Sequence, residues 1–388
     1  MLNNEFPPLG GGTGTVNRVL LQHFASVQGL EIDLITSALG QQDEFEQFAE
    51  HIRIFKAPVN NRNLHHSSNR ELLTFGARAW PLALKLHRTT RYDFCFAWSA
   101  VPAGGVALAL HWQAGLRYIV RVCGPDIPGF ERRYGWMYPF LTPAIRATWR
   151  GAEWVIAKCE HEAEMIRRVD SSARITLIPN GVDLDAFQPG APIPDAGALK
   201  VICVGRLIER KGQQHLIRAT RRLVDQGLDI SVELVGTGDA QSADAELARE
   251  LGIADQIRFS GYVPREEIAK HYAAAHVFVL PSYNEGMSVA TLEAMASGLP
   301  IIITRNGATG LVQAEINGLI FDWANVDALT AHLKRLAMDR ALARRMGAAS
   351  RDRATSLSWD LVSDDYLKMF EQMVPRAPVY QTGQKLAI

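Results

Sequence analysis

The chain has 388 residues, 47% of them apolar, which is enough for full cores in two or three domains. Lys+Arg and Asp+Glu both number 41, so the formal net charge is zero and no basic excess points to nucleic acid. No apolar run nears the roughly 18–20 residues of a spanning helix, and the start lacks the basic-then-apolar layout of a secretory leader.

The chain opens MLNNEFPPLGGGTG. Gly10, Gly11, Gly12 and Gly14 make a glycine-rich turn, and Val16, Val19, Leu20 and Phe24 at once take up a helical period. Such a turn ordinarily follows a strand, and only Met1 and Leu2 are there to form one. Thr15 and Asn17 break the G-x-G-x-x-G pattern, so a dinucleotide fingerprint is unsupported. The glycines either let the backbone approach a ligand closely or simply make a tight strand-to-helix turn.

Strand-like apolar runs follow at 31–38, 51–58, 92–99, 117–124, 153–160 and 174–181, then at 199–205, 231–238, 257–263, 277–282 and 300–305. Amphipathic stretches lie between them, such as HLIRATRRLVDQG with Leu216, Ile217, Ala219, Thr220 and Leu223 on one side. This alternation predicts an α/β protein whose parallel sheets are covered on both faces. The segment FQPGAPIPDAGALK holds three prolines and two glycines without periodicity, and 187–198 reads as a linker. The predicted organisation is two doubly wound domains, 1–186 and 199–358. The helical pattern from Trp359, LVSDDYLKMFEQM, is expected to pack back on the first domain as part of a 359–388 C-terminal segment. The four cysteines, Cys95, Cys123, Cys159 and Cys203, sit far apart in or beside apolar runs. That fits reduced core thiols in a cytoplasm better than disulfides or a zinc site.

The densest motif is VFVLPSYNEGMSVATLEAMASGLP, 277–300. Its apolar run stops at Pro281, Gly286 permits a tight turn, Ser288 suits an N-cap, and Gly298 and Pro300 end the helix. A helix N-terminus offers free N–H groups to a phosphate. Glu285 precedes the helix and Glu293 lies within it, about 12 Å further along. The pair could grip two parts of one elongated ligand, or belong to an ordinary βα unit with surface glutamates. In VGRLIERKGQQHLI, 204–217, Arg206 and Lys211 flank a turn into a helix. They suit a dianionic group such as a diphosphate, or a solvated basic loop. Nothing spells GxxxxGK[ST]. Asp183-Leu184-Asp185 spells D-x-D, but its place beside the linker argues for a structural role. His65 and His66 lie in a polar loop. Tyr134, Trp136, Tyr138 and Phe140, with Arg132 and Arg133, either touch a membrane surface or large acceptor, or pack partly buried.

Taken together these stretches resemble glycosyltransferase family 4. The resemblance runs over nearly the whole chain: FPPLGGGTG, IPNGVDLDAF, VGRLIERKG, LVGTGD, FSGYVP, the E-x7-E pair in NEGMSVATLE, and SLSWDLVSDDYL, all in the family's order. It implies the GT-B fold, two Rossmann-like domains with an active cleft between them. It implies a retaining transferase that moves a sugar from a UDP- or GDP-sugar to a polysaccharide, lipid-linked or other cell-envelope acceptor. No bound cofactor and no metal ion would be required. Localisation would be cytoplasmic, with peripheral contact at the inner membrane face.

Carried over by position, the resemblance gives Arg206 and Lys211 to the donor diphosphate, with Gly205 at the turn. Backbone N–H groups of Gly286, Met287 and Ser288 would assist at the helix start. Glu285 would bind the transferred sugar and Glu293 the ribose. Tyr262 and Val263 would line the base pocket, and Gly12 would let the first domain close on the phosphates. Cys123 and Asp126, in VRVCGPDIPG, are the acceptor-side candidates. Cys123 stands where many members carry histidine, and a neutral thiol cannot replace an imidazole as a proton carrier. A GT-B nucleotide-sugar epimerase and a catalytically degenerate partner subunit are the rival readings. The resemblance also implies a longer central strand before the glycine turn, so the natural chain is expected to begin several residues earlier, or its start to be misassigned.

Overall fold

The computed structural model describes residues 1–61, 67–131 and 134–374. His65, His66, Arg132, Arg133 and the tail after 374 lie outside the described residues. The first half runs α1 (Gly12–Phe24), β1 (Ile32–Ala38), β2 (Glu44–Ala49), β3 (Ile52–Pro58), α2 (Asn69–Thr90), β4 (Phe94–Trp98), α3 (Ala103–Ala114), β5 (Arg117–Arg121), α4 (Tyr138–Gly151), β6 (Trp154–Ala157), α5 (Glu160–Val169) and β7 (Ile175–Leu177). The second runs β8 (Leu199–Val204), α6 (Gln213–Asp225), β9 (Ile230–Val235), α7 (Gln241–Glu250), β10 (Ile257–Gly261), α8 (Arg265–Ala274), β11 (Val277–Leu280), α9 (Val289–Ala296), β12 (Ile301–Thr304), α10 (Arg305–Ala308), β13 (Gly318–Phe321), α11 (Val326–Met338), α12 (Arg340–Thr355) and α13 (Trp359–Met373).

The second sheet has the order β10-β9-β8-β11-β12-β13, with every pair parallel. Chain direction therefore reverses its progress between β8 and β11, and a ligand crevice belongs outside the carboxyl ends of those two strands. The inner strands β8, β11 and β12 are mostly buried apolar runs, as a sheet covered on both faces requires, while the edge strand β10 is only partly buried.

The first half holds two sheet pieces, β1-β3-β2 and β4-β5-β6-β7. Leu2 joins them by bridging Ile35 of β1 and Ala97 of β4, both in parallel. Its N–H donates to the Phe96 carbonyl at 2.9 Å, and the Trp98 N–H donates to the Leu2 carbonyl at 2.8 Å. The strand before the glycine turn is thus central, and Leu2 makes its bridges on both sides. The antiparallel strand β2, a half-exposed edge with alternating glutamates, and the four-residue β13 were not anticipated from the sequence.

Helix α13 packs on the first half. Phe370 meets Phe24, Phe94 and Phe96 with ring centroids 5.4, 5.2 and 5.7 Å away. The chain reaches this position through a short parallel bridge between Val182 and Ser358.

Candidate active site

The crevice between β8 and β11 is lined by loops 205–212 and 281–288. Gly212 has φ +74°, and a Cβ there would stand 2.1 Å from the Pro281 carbonyl oxygen. Only glycine lets the two loops pack backbone to backbone. That approach brings the Lys211 ammonium 2.6 Å from Glu285 Oε1. Burial alone would raise the Glu285 carboxyl; Lys211 and Arg210 outweigh it and hold it below its ordinary value. Ser288 caps α9 by accepting from the Thr291 N–H at 3.2 Å. Glu293, one turn in, accepts from the Tyr272 hydroxyl at 3.0 Å and pairs with Arg265 at 3.4 Å. Burial dominates there and pushes Glu293 up to about 7. Its neighbours Arg265 and Val289 share a small gap with Thr15, Val16 and Trp359, so Glu293 faces the junction of the two halves.

The first half grips the loop before α9 at several points. Asn284 Nδ2 donates to the Phe130 carbonyl at 3.1 Å. Arg210 Nε lies 3.1 Å from Glu131 Oε2, while its Nη1 donates to the Asn284 carbonyl at 3.1 Å. Asn180 Nδ2 donates to the Met287 carbonyl at 2.8 Å. A Cβ on Gly286 would stand 2.3 Å from Glu162 Oε1, so the buried Lys158–Glu162 pair closes directly over that glycine. Gly12, the first residue of α1, faces Val289, the first of α9. Glu5 lies beneath the glycine turn and accepts from the Gly11 N–H at 3.3 Å. Burial raises its carboxyl against the pull of that amide and of Arg206.

The residues proposed for one ligand therefore do assemble: Arg206, Lys211, Glu285, Gly286, Met287, Ser288 and Glu293 surround the start of α9 and the facing loop. Gly205 ends the strand beneath them, 3.9 Å from Lys211 by its missing Cβ. Tyr262 is 67% exposed, and Val263 packs at the edge of the second core. Asp126 lies on the first half and braces its loops. Its two oxygens accept from the Ala100 and Cys123 N–H groups at 2.7 and 2.8 Å, so it ties two loops together. Cys123 sits beside it, and burial pushes its thiol up to about 12. Tyr138 is buried with its hydroxyl bonded to Pro125 and Glu131, whereas Trp136 and Phe140 are 71% and 78% exposed. Asp183 accepts from the Asp185 and Ala186 N–H groups in a local turn. Among the described residues no group of three His, Cys, Asp or Glu could hold a metal ion.

Sequence reading missed Arg210, Glu131, Asn180, Asn284 and the Lys158–Glu162 pair. Arg210 and Asn284 lie inside motifs already singled out, and Asn180 opens the NGVD stretch; only their partners were invisible.

Residues 10–186 match the family model described as Glycosyltransferase Family 4, and residues 190–353 match that described as Glycosyl transferases group 1. The chain is 33% identical over 260 residues to a GDP-mannose-dependent alpha-(1-6)-phosphatidylinositol monomannoside mannosyltransferase of Mycolicibacterium smegmatis, covering 62% of this chain and 66% of that protein. It is 31% identical over 249 residues to a D-inositol 3-phosphate glycosyltransferase of Nocardiopsis dassonvillei, covering 59% and 58%. In both cases the match spans less than two thirds of the relative's own length. Among solved structures, a sucrose-phosphate synthase from Thermosynechococcus elongatus superposes with a TM-score of 0.81 at 25% identity, over 94% of each chain. A glycosyltransferase from Rickettsia africae, at 16% identity, shares the fold with a TM-score of 0.72 over 97% of this chain and 100% of that one.

Proposed function

Because the chain belongs to glycosyltransferase family 4, with the GT-B fold, we propose that it is a retaining glycosyltransferase that draws on a UDP- or GDP-sugar and delivers the sugar to a polysaccharide, lipid-linked or other cell-envelope acceptor. The observation that carries this reading is the meeting of Lys211, Glu285 and the α9 N-terminus at the β8/β11 switch point. A diphosphate there meets cations from one loop and free N–H groups from the other. Arg206 and Lys211 offset the charge that builds on the leaving phosphate. Glu285, kept ionised, accepts from sugar hydroxyls, and Glu293 accepts from the ribose. Closure of the two halves supplies proximity. The names of the curated relatives support a nucleotide-sugar donor of this class.

No metal ion enters this scheme, so EDTA should leave turnover intact. Residues 1–186 with α13 form the acceptor-side unit, and 199–358 the nucleotide-sugar unit. The outer face of the first unit carries exposed Leu73, Trp112, Trp136 and Phe140 on or beside the neighbouring helices α2, α3 and α4. Neither α3 nor α4 has an acidic residue, and α2 adds exposed Arg70, Arg78, Lys85 and Arg88. Aromatic rings among cations suit an anionic bilayer surface, which supports peripheral membrane contact by this face.

The experiment is to titrate UDP and GDP, then follow nucleoside diphosphate release from UDP- and GDP-sugars with an acceptor panel. Failure to bind either nucleotide would sink the reading. A degenerate partner subunit is the second reading, favoured by the half-buried neutral thiol of Cys123 at the usual histidine position. Nucleotide binding without turnover, and turnover only beside a homologous chain, would select it.

A further inference from the structure

Arg121, at the end of β5, is 2% exposed. A cation taken out of water is tolerated only where its donors are matched. Its Nε donates to the Tyr366 hydroxyl of α13 at 2.8 Å, and its Nη2 donates to Asn180 Oδ1. The Trp98 ring lies under the guanidinium, 4.6 Å from its central carbon to the ring centroid.

A guanidinium can only donate, so it fixes which end of the Asn180 amide faces it. The NH2 end must then face away. It donates to the Met287 carbonyl at 2.8 Å, and the Asn180 backbone N–H approaches Met287 Sδ at 3.0 Å. The Met287 carbonyl and the Ser288 N–H belong to one rigid peptide plane. Whatever holds that carbonyl also sets the direction of the Ser288 N–H, at the N-cap of α9. Helix N–H groups stabilise an anion best when already fixed in place. The adjoining Gly286 leaves the loop little stiffness of its own.

We propose that Arg121 and Asn180 are positioning residues: with Tyr366 they form a buried relay from the first half and α13 that locks the Met287–Ser288 peptide plane. The consequence for donor binding rests on the nucleotide-sugar reading above; the locking itself does not.

Asn180→Asp separates the two. Aspartate keeps the partner of Arg121 and nearly the same shape, but it cannot donate to Met287. Hydrogen exchange of the free, full-length protein should rise about tenfold in peptides spanning 284–292, the order expected for one lost hydrogen bond. Peptides from β5 and β11 should stay protected. Tyr366→Phe, which removes one hydroxyl from the relay, should give a smaller rise in the same peptide. Unchanged exchange in both variants overturns the inference. UDP and GDP titrations form the second arm. Faster exchange in a protein that binds neither nucleotide leaves the relay standing and sinks the nucleotide reading. If the natural protein binds one of them and Asn180→Asp binds it equally well, the relay has no part in donor binding and the positioning role is overturned.

Discussion

Lys211 and Glu285 face each other at 2.6 Å across the point where the second sheet reverses its order. Each comes from a different crossover loop, so the pair exists only because Gly212 lets those loops touch. Lys211→Ala should cut turnover on the order of 100- to 1000-fold, the usual cost of one preorganised group aimed at developing charge. Arg206→Ala should fall in the same range. Steady-state rates with a confirmed donor decide it, and near-normal turnover in both would place the phosphate elsewhere.

Glu285→Gln should split sugar recognition from nucleotide binding. The variant frees Lys211 for the diphosphate, so calorimetry should find UDP or GDP bound at least as tightly as before. Charge-assisted hydrogen bonds to sugar hydroxyls are worth roughly 1.5–3 kcal/mol each, so turnover should fall by about ten- to a hundredfold. Equal loss of both properties would mean that Glu285 supports the loop and not the sugar.

Glu293 gives a pH signature. Its folded pKa, about 7, lies above the ordinary 4.5 because burial disfavours the charged form. Between those values the folded state holds a proton that the unfolded state has released. Stability from this group is therefore fully present below about 4.5 and declines as pH rises through about 7, by roughly 3 kcal/mol in all. Denaturant midpoints of the natural protein should fall across that window relative to Glu293→Gln. A ribose donating to Glu293 favours the carboxylate, so nucleotide binding should tighten as pH rises through 7 and release a proton. Parallel stability profiles for the two proteins would place the Glu293 titration elsewhere.

Much of this was legible in the residues. The strand–helix alternation predicts the parallel sheets, because strands buried on both faces must be largely apolar: β11 is so throughout, and β8 and β12 are so but for Lys200 and Thr304. The β2 strand escaped because it is a half-exposed antiparallel edge: the exposed Glu44, and Glu46, which pairs with Lys56, break the apolar run. The β13 strand escaped because four residues carry no period. The E-x7-E spacing singled out Glu285 and Glu293, but α9 begins only at Val289, so helical rise governs just the second half of that spacing. Asp126 shows the opposite limit. Its type suits chemistry, but only the fold shows each of its oxygens accepting from a backbone N–H group. The Arg121–Asn180–Met287 relay joins three distant segments, and nothing local marks it.

Helix α13 should contribute to the first core and not the second. Phe370→Ala empties a site walled by Phe24, Phe94 and Phe96, and removing a buried phenylalanine typically costs about 3–5 kcal/mol. Hydrogen exchange should accelerate in α1 and β4 while β8 and β11 keep their protection. Loss of protection in the second sheet instead would refute this assignment of the C-terminal helix.

Arg210 and Glu131 should act as a clasp between the halves. Their 3.1 Å contact joins the loop after β8 to the segment after β5, and the same guanidinium holds the Asn284 carbonyl. Asn284 in turn donates to Phe130, beside Glu131. Removing either charge leaves the other poorly paired, while removing both costs less than the sum. A double-mutant cycle of Arg210→Ala and Glu131→Ala should therefore show coupling of about 0.5–3 kcal/mol in kcat/KM for the donor. Small-angle scattering should show each single variant more open than the natural protein. Additive losses and an unchanged scattering profile would mean that the two side chains share a surface without joining the halves.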